Sequence, residues 1–309
     1  MTRRSAATVA ILAAAIAFPL AAQPLGWEFY IGLASRVMIY ALAATSLNLV
    51  LGYGGMLSFG HAAFVGAGAY TAGILLTEGI ASVWIGWPIA VAAATVAAIV
   101  IGAISLRTRG VYFIMITLAF AQMMYYVAIG MKAYGGEEGL RLASRPQAGL
   151  GLDLKDDVTF YYLVLAILAA ALYGLHRLAR ARFGRVIAAI RENETRMEAI
   201  GFPTYRYKLV CFVIGGAVAG LAGALLAANN SYVNPNLFYW TQSGTLMIMV
   251  ILGGVGRLWG GVLGAAALLL AEELFSAYTI HWQLGVGAIL LAVVLFAPKG
   301  LAGLAARHG

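Results

Sequence analysis

Charged residues are scarce in this chain. They make up 10% of its 309 residues, whereas hydrophobic residues make up 62%. A soluble domain carries roughly a quarter charged residues, so this composition excludes a soluble globular fold. Several apolar runs contain the roughly 20 residues that a helix needs to cross a bilayer, and the alternating pattern of a β-barrel is absent. The chain is therefore predicted to be an all-α, polytopic transmembrane helical bundle.

Signatures of enzymes and metal sites are also missing. The single cysteine, Cys211, excludes an internal disulfide framework and a cysteine-cluster metal site. None of the lysines follows a glycine, so the chain has no Walker A loop for ATP. It also lacks Gly-x-Ser-Gly and His-Glu-x-x-His elements. We expect no catalytic residues, no metal and no cofactor, and any ATP hydrolysis must belong to another protein.

The apolar pattern predicts about ten membrane-spanning helices, with eight as the lower limit, in one domain (1–309). The predicted spans are 6–22, 30–51, 57–77, 84–106, 111–130, 159–177, 207–228, 240–254, 258–275 and 282–297. Residues 1–24 also have the basic start and small final residues of a cleaved signal peptide. We favour a retained first helix, and ten crossings then place both termini on the same side.

Charge predicts which side that is. On this topology Lys132, Arg141, Arg145 and Lys155 lie on one face and Arg36 lies within a span, which leaves 15 of the 20 basic residues on the other face. Basic residues cluster on cytoplasmic loops, so the more basic face and both termini are predicted to be cytoplasmic. The same rule explains the net charge of +8 without a nucleic-acid partner. The long loop 132–157 is then periplasmic.

One crowded run of charge interrupts the oily sequence at 181–203. Within it, spacings of three and four place several apolar residues on one helical face: Phe183, Val186, Ile187, Ile190, Met197 and Ile200. Gly201 and Pro203 are typical of a helix end. We predict one short amphipathic helix on the cytoplasmic surface. A solvated loop, a helix bound to anionic lipid and a docking helix for a cytoplasmic partner all remain open, although the glutamates of the run disfavour lipid.

Two glycine-rich breaks, "LGYGGMLSFG" (51–60) and "LGGVGRLWGG" (252–261), share five residues at a constant offset. The matched positions are 51/252, 52/253, 55/256, 57/258 and 60/261. An internal repeat and chance are equally good explanations in a chain with 38 glycines. Physically, each break is either a tight helical hairpin or a bend that lines a substrate path.

Polar residues inside membrane spans are candidates for function. The candidates for the substrate path are Asn48, Ser58, His61 and Gln122. Hydrogen bonding between helices is the alternative for each of them. Arg36 either extends to the outer headgroups or contacts a substrate carboxylate, and Glu272 and Glu273 either lie at the interface or pair with Arg36.

Four stretches of the chain together resemble the LivM-type permeases of ATP-binding-cassette importers for branched-chain amino acids. They are "NLVLGYGGMLSFGHAAFVGAGAYTAGIL" (48–75), "AIRENETRMEAIGFPTYRYKLVCFVIGGAVAGLAGALLA" (189–227), "SGTLMIMVILGGVGRLWGGVLGAA" (243–266) and "HWQLGVGAILLAVVLFAPKGL" (281–301). The chain departs from this family at Arg257 and Gly261, where the family often has Thr and Pro. The motifs are less specific to the substrate, because permeases for urea and other small amides or acids are similar.

The resemblance implies that the amphipathic helix is a coupling helix, which binds in a surface groove of an ATPase subunit. It implies these coupling residues: Arg191, Glu192, Glu198, Ala199 and Gly201. In this interpretation Ala199 permits close approach and Gly201 ends the helix, while charged neighbours make ion pairs at the rim.

The resemblance also implies the partners and the substrate class. The partners are a second permease of the same family, two cytoplasmic ATPases and a periplasmic substrate-binding protein, in the bacterial inner membrane. The cargo is a branched-chain amino acid or a related small amino acid or amide, moved by alternating access. A permease for urea or small organic acids is the alternative. An ion-coupled secondary transporter is disfavoured because no acidic residue lies mid-span.

Overall fold

The computed structural model of the protein describes residues 3–22, 26–142, 144–147, 149, 153–297 and 300–305. The helices in these residues are α1 (Arg3–Ala22), α2 (Glu28–Asn48), α3 (His61–Thr77), α4 (Val83–Ser105), α5 (Val111–Gly130), α6 (Asp157–Arg180), α7 (Arg182–Glu192), α8 (Glu194–Ala199), α9 (Thr204–Asn230), α10 (Trp240–Gly253), α11 (Gly260–Ser276), α12 (Trp282–Phe296) and α13 (Leu301–Ala305). Strands β1 (Leu140–Arg141) and β2 (Tyr232–Val233) form an antiparallel pair.

The prediction of an all-α membrane bundle is confirmed, and each of the ten predicted spans corresponds to one helix. Among the described residues, five helices are long and apolar enough to cross a membrane: Phe29–Tyr53, Val83–Ser105, Val111–Gly130, Asp157–Arg180 and Thr204–Asn230. Four further apolar segments are shorter, among them α3 and α10. The first long span exceeds α2 because the chain continues as a π-helical turn at Leu49–Tyr53.

Helix α9 lies at the centre of the bundle, against α2, α3 and α4. Glycines allow its backbone to touch that of α3. A Cβ atom added to Gly223 would overlap the carbonyl oxygen of Val65, and one added to Gly68 would overlap that of Gly220. Since lipid tails are as apolar as the helix surfaces, close packing of this kind replaces the hydrophobic effect as the force between helices.

The loops lie at the two ends of the bundle in the order that the predicted topology requires. At one end, which we call the basic end, Arg109 before α5 pairs with Glu198 of α8, and Arg257 before α11 donates to the Ala302 carbonyl. At the opposite end, Tyr134 after α5 donates to Glu78 after α3 at 3.0 Å. The alternation of loops between the ends agrees with the sorting of charge along the sequence.

The predicted loop 132–157 has structure of its own. It begins with two short 3-10 turns and then forms β1, which pairs with β2 from the α9–α10 connection. It ends at Asp156, which caps α6 by accepting hydrogen bonds from the Thr159 backbone N–H at 2.9 Å and hydroxyl at 2.8 Å. Those hydrogen bonds hold the pKa of the Asp156 carboxyl below its usual value. The prediction for 143, 148 and 150–152 lies outside the described residues.

We expect Gly223→Ala to destabilise the bundle, because its methyl group has no space beside Val65. Overpacking of this kind costs about 1–3 kcal/mol. Gly174→Ala in α6 is the matched control, since nothing lies within 4 Å of the added Cβ. Thermal unfolding in detergent measures both. Equal midpoints for the two variants would contradict the close α3–α9 contact.

Candidate functional site

The charged run forms two helices rather than the predicted single helix over 181–203. Helix α7 ends at Glu192, and Asn193 adopts an extended conformation (φ −156°, ψ 98°). The Asn193 side-chain oxygen accepts a hydrogen bond from the Arg196 backbone N–H at 2.9 Å, which makes Asn193 the N-cap of α8. An N-cap satisfies a backbone donor that would otherwise have no partner at the start of a helix. The chain therefore turns between α7 and α8.

The predicted end of the surface helix at Gly201 is confirmed. Gly201 has a positive φ of +90° and donates its N–H to Glu198 O at 2.9 Å, while Phe202 donates to Met197 O at 3.0 Å. These two bonds form a Schellman motif, in which the left-handed residue is usually glycine. They hold the last turn of α8 in a defined direction before α9 begins at Thr204.

The apolar face of the two helices packs on the bundle. Ile187, Ile190 and Met197 are buried, as the spacing predicts. Phe183 stacks on Tyr207 of α9, with ring centroids 5.7 Å apart. Ile200 differs from the prediction, because 62% of its surface is exposed. It is the C-cap residue, one position after α8 ends, where the chain turns away from the helix at Gly201.

Two glutamates of α8 point towards the bundle. Glu194 contacts Lys208 Nζ at 2.5 Å and Arg109 Nε at 3.6 Å. Glu198 contacts Arg109 Nη2 at 3.3 Å and accepts from the Thr204 hydroxyl at 2.8 Å. Arg109 belongs to the α4–α5 loop, so these ion pairs attach α8 to a distant part of the chain.

The remaining surface of this region is exposed. We call it the outer face of α8, and it consists of Glu192, Thr195, Arg196, Ala199, Ile200 and Gly201. Ala199 and Gly201 are small, and Ile200 between them projects an apolar side chain into solvent. The outer face is thus a small, rigidly held surface with an apolar centre and charged edges. Exposed ion pairs at such edges contribute roughly 0–1 kcal/mol each.

Arg191 leaves α7 in a different direction. Its Nη1 donates to the carbonyl oxygen of Gly52, in the π-helical turn after α2. The stem of the side chain lies over Gly55, where an added Cβ would be 2.7 Å from Arg191 Cγ. Arg191 therefore contacts the first glycine-rich break rather than the outer face.

A cavity of about 290 Å³ lies between α7, α9 and the first turn of α5. Arg109, Arg191, Glu194 and Lys208 line its polar wall, and Phe113 contributes to the apolar one. The ion pairs of Glu194 with Lys208 and Arg109 thus lie along the wall of this space.

Three of the four candidates for the substrate path have partners within the chain. Asn48 accepts from the Gly256 N–H at 2.8 Å and donates to Arg257 O at 2.6 Å. His61 Nε2 lies 2.8 Å from the Ser46 hydroxyl, and Ser58 accepts from the Gly60 N–H at 3.2 Å. All three candidates are buried, and these contacts hold helices and turns together.

Gln122 has a buried Nε2 with no hydrogen-bond partner among the described residues. The buried Nδ1 of His61 is likewise unpaired, although its Nε2 contacts Ser46. Gln122 lies in α5, the least buried of the five long spans. An unpaired amide in a membrane span is costly, so Gln122 remains the candidate for a path or an interface with another subunit. No group of three or more His, Cys, Asp or Glu residues in the described part of the chain could hold a metal ion.

Arg36 and Glu272 form an ion pair at 3.8 Å near the opposite end, and Arg36 also lies over the Tyr40 ring. Of the two interpretations of Glu272, an interfacial position and pairing with Arg36, this contact agrees with the pairing.

Sequence reasoning missed Asn193 and Arg109. A helix start within the run was detectable, since asparagine followed by an acidic residue is a common N-terminal signal. Nothing local marked Arg109, because its partners lie 85 or more positions away, at Glu194 and Glu198.

We expect Glu194→Gln to lower stability by about 1–3 kcal/mol, because it leaves the buried ammonium of Lys208 without its charged partner. Glu192→Gln is the matched control, since the Glu192 side chain is exposed and has no ion pair among the described residues. Unfolding midpoints of the two purified variants provide the test. A loss of equal size in both would show that the inward contact of Glu194 is unimportant.

Comparison with known proteins agrees with this architecture. Residues 29–297 match the family described as "Branched-chain amino acid transport system / permease component". The chain is 30% identical to the high-affinity branched-chain amino acid transport system permease protein LivM of Escherichia coli (strain K12), over 95% of this chain and 73% of LivM. Identity to LivM of Salmonella typhimurium is 29% with the same coverage.

A further relative is LivH of Escherichia coli (strain K12), a permease protein of the same transport system, at 28% identity over 85% of this chain and 91% of LivH. No solved structure gives a significant match. The family match covers most of the chain and includes both glycine-rich breaks, α7 and α8. The chain is a multi-pass membrane protein that belongs to the family of branched-chain amino acid transport permeases.

Proposed function

We propose that the chain is the permease subunit of an ATP-binding-cassette importer and translocates branched-chain amino acids or related small amino acids and amides. The family match over 29–297 carries this proposal. The relatives LivM and LivH are named as branched-chain amino acid permeases, which supports the same substrate class. The chain then lies in a bacterial inner membrane, and its basic end and both termini lie on the cytoplasmic side.

The energy comes from partner subunits. In this proposal two cytoplasmic ATPases hydrolyse the nucleotide, which agrees with the lack of a Walker A loop in the sequence. The outer face of α8 is the surface through which one of them acts. Ala199 and Gly201 are small and allow the groove of the ATPase subunit to approach the backbone of α8 closely. Ile200 provides the apolar contact at the centre. Central apolar contacts contribute most of the affinity of an interface, and charged rim residues mainly set its register.

The predicted coupling residues fall into two groups, according to whether they lie on the outer face of α8 or contact the bundle. Glu192, Ala199 and Gly201 belong to the outer face, whereas Glu198 and Arg191 contact the bundle. We propose that Glu198 holds α8 against Arg109 so that ATPase movement is transmitted rather than absorbed. Its substitution would therefore act through the position of α8.

The opposite end is the docking surface for a periplasmic binding protein. Strands β1 and β2 join the loop 132–157 to the connection between α9 and α10. The Tyr232 hydroxyl adds a hydrogen bond to Glu138 O across the same junction. A second permease of the same family completes the membrane part, and specificity rests mainly on the binding protein. Closure of the ATPases then alternates access between the two ends.

Ala199→Trp and Ile200→Asp should abolish uptake and the co-purification of ATPase subunits, because the first obstructs close approach and the second places a charge in an apolar contact. Both residues are exposed, so the variants should remain folded in the membrane. The measurements are amino-acid uptake by cells, ATPase recovery by affinity purification and thermal unfolding of the permease.

Ala170→Trp is the matched control for Ala199→Trp, because Ala170 is an exposed residue of α6, away from the outer face of α8. This variant should retain uptake. Normal uptake by both outer-face variants would contradict the proposed docking. Uptake by the purified permease alone, driven by an ion gradient without nucleotide, would contradict the importer itself.

A further inference from the structure

The two glycine-rich breaks lie against each other at the basic end. A Cβ atom added to Gly52 in the first break would overlap the backbone nitrogen of Gly256 in the second. An added Cβ at Gly256 would lie 3.3 Å from Gly52 O. We call the pair of contacting turns, 51–60 and 252–261, the glycine junction. It joins the α2–α3 and α10–α11 hairpins through backbone contact, with the Asn48 side chain beside it.

One pair of matched positions in the two turns has a similar backbone φ. Gly55 and Gly256 occupy equivalent positions, and both have a positive φ, +67° and +75° respectively. Asn48 binds the two turns together, since it belongs to α2 but bonds to the backbone of Gly256 and Arg257. Arg257 in turn donates to Ala302 O of α13. Movement at one turn therefore displaces the other.

The end of α2 leaves a carbonyl group for an external donor. In the turn that follows, Leu51 O accepts from the Gly55 N–H at 3.1 Å. The next carbonyl, Gly52 O, accepts from Arg191 Nη1 instead. Helix ends commonly leave such carbonyls without internal partners, and π-helical turns often occur at functional sites. The guanidinium thus completes the end of α2 from a helix 139 residues further along the chain.

Arg191 reaches the glycine junction directly, whereas Glu194 and Glu198 of α8 contact α9 and Arg109 of the α4–α5 loop. A cavity of about 290 Å³ lies beside Arg191 and is also lined by Arg109 and Glu194. Arg191 lies at the last turn of α7, directly before the Asn193 turn that sets the direction of α8. Its planar, permanently charged group is a stiffer link than a lysine would be.

We propose that Arg191 is a positioning residue that ties the α7–α8 unit to the glycine junction and passes displacement of α8 to both hairpins. Its transport role rests on the proposed function. Docking of the ATPases uses the outer face of α8. Arg191 links the α7–α8 unit to the glycine junction, in addition to the contacts of Glu194 and Glu198 with α9 and Arg109. Loss of the link separates nucleotide hydrolysis from transport without separating the subunits.

Hydrogen–deuterium exchange on the purified permease alone tests the physical link. In Arg191→Ala we expect amides of 49–57 and 254–258 to exchange about tenfold faster, because removing a charge-assisted hydrogen bond opens the turns. Amides of α3 and α9 should not change. Arg185→Ala is the matched control, since Arg185 is an exposed arginine of α7 with no ion pair among the described residues. Exchange in Arg191→Ala equal to that of the control would overturn the proposal.

Transport assays on the assembled complex test whether Arg191 passes displacement of α8 to the membrane helices. Arg191→Ala should keep its ATPase subunits and their basal hydrolysis, while the number of amino acids transported per ATP falls about tenfold or more, as expected for loss of a coupling contact. Arg191→Lys should recover part of this ratio, because an ammonium donates one hydrogen bond without the planar fork. A purely structural role would reduce abundance and leave the ratio unchanged.

Gly52→Ala provides a second route to the same result, because its methyl group would push the two turns apart while Arg191 remains. It should lower the number of amino acids transported per ATP and speed hydrogen–deuterium exchange of the amides of 254–258. A wild-type ratio in both Arg191→Ala and Gly52→Ala would overturn the role in transmission. If the wild-type permease bound no ATPase, the proposed function would fail, while the exchange experiment would still decide whether Arg191 ties α7 to the junction.

Discussion

Direct contact between helix backbones is the constraint on which this structure depends. In a membrane the hydrophobic effect does not drive helices together, so they must pack closely enough for dispersion and weak polar contacts to act. Gly68, Gly220 and Gly223 permit that approach between α3 and α9 in the centre. Gly253 and Gly264 do the same between α10 and α11. A side chain at these positions would force the pairs of helices apart.

Backbone contact between glycines also couples the two turns at the basic end, so that displacement of one moves the other. Where Gly52 meets Gly256, two turns contact through backbone atoms, and Asn48 satisfies the polar groups that this contact brings together. The buried amide has no alternative partner in lipid, which makes the arrangement specific. Arg191 then connects this region to the surface helices. Arg191 thereby links the outer surface to the glycine junction, next to a cavity that leaves room for movement.

The helices themselves were predictable, because hydropathy and length determine which segments cross a bilayer. The stop at Gly201 was equally local, since a left-handed residue at a helix end favours glycine. The break at Asn193 was missed because the apolar spacing continues across it to Met197. The exposure of Ile200 was missed because that residue lies after the end of α8. For the path candidates, residue type indicated a polar group in a span but gave no means to distinguish a transport residue from a packing partner.

The amino-acid order by itself determined the class of the protein, the approximate limits of its ten apolar helices, the division of charge between its two ends and the family to which it belongs. Each of these depends on composition or on neighbours within a few turns. Only the tertiary structure decided that Glu198 faces Arg109, that Asn48 holds the turn at Gly256 and that Arg191 reaches Gly52. Those partners lie 89 to 208 residues apart, and no local pattern specifies which distant backbone atom a long side chain meets. That choice is made by the packing of the helices between them.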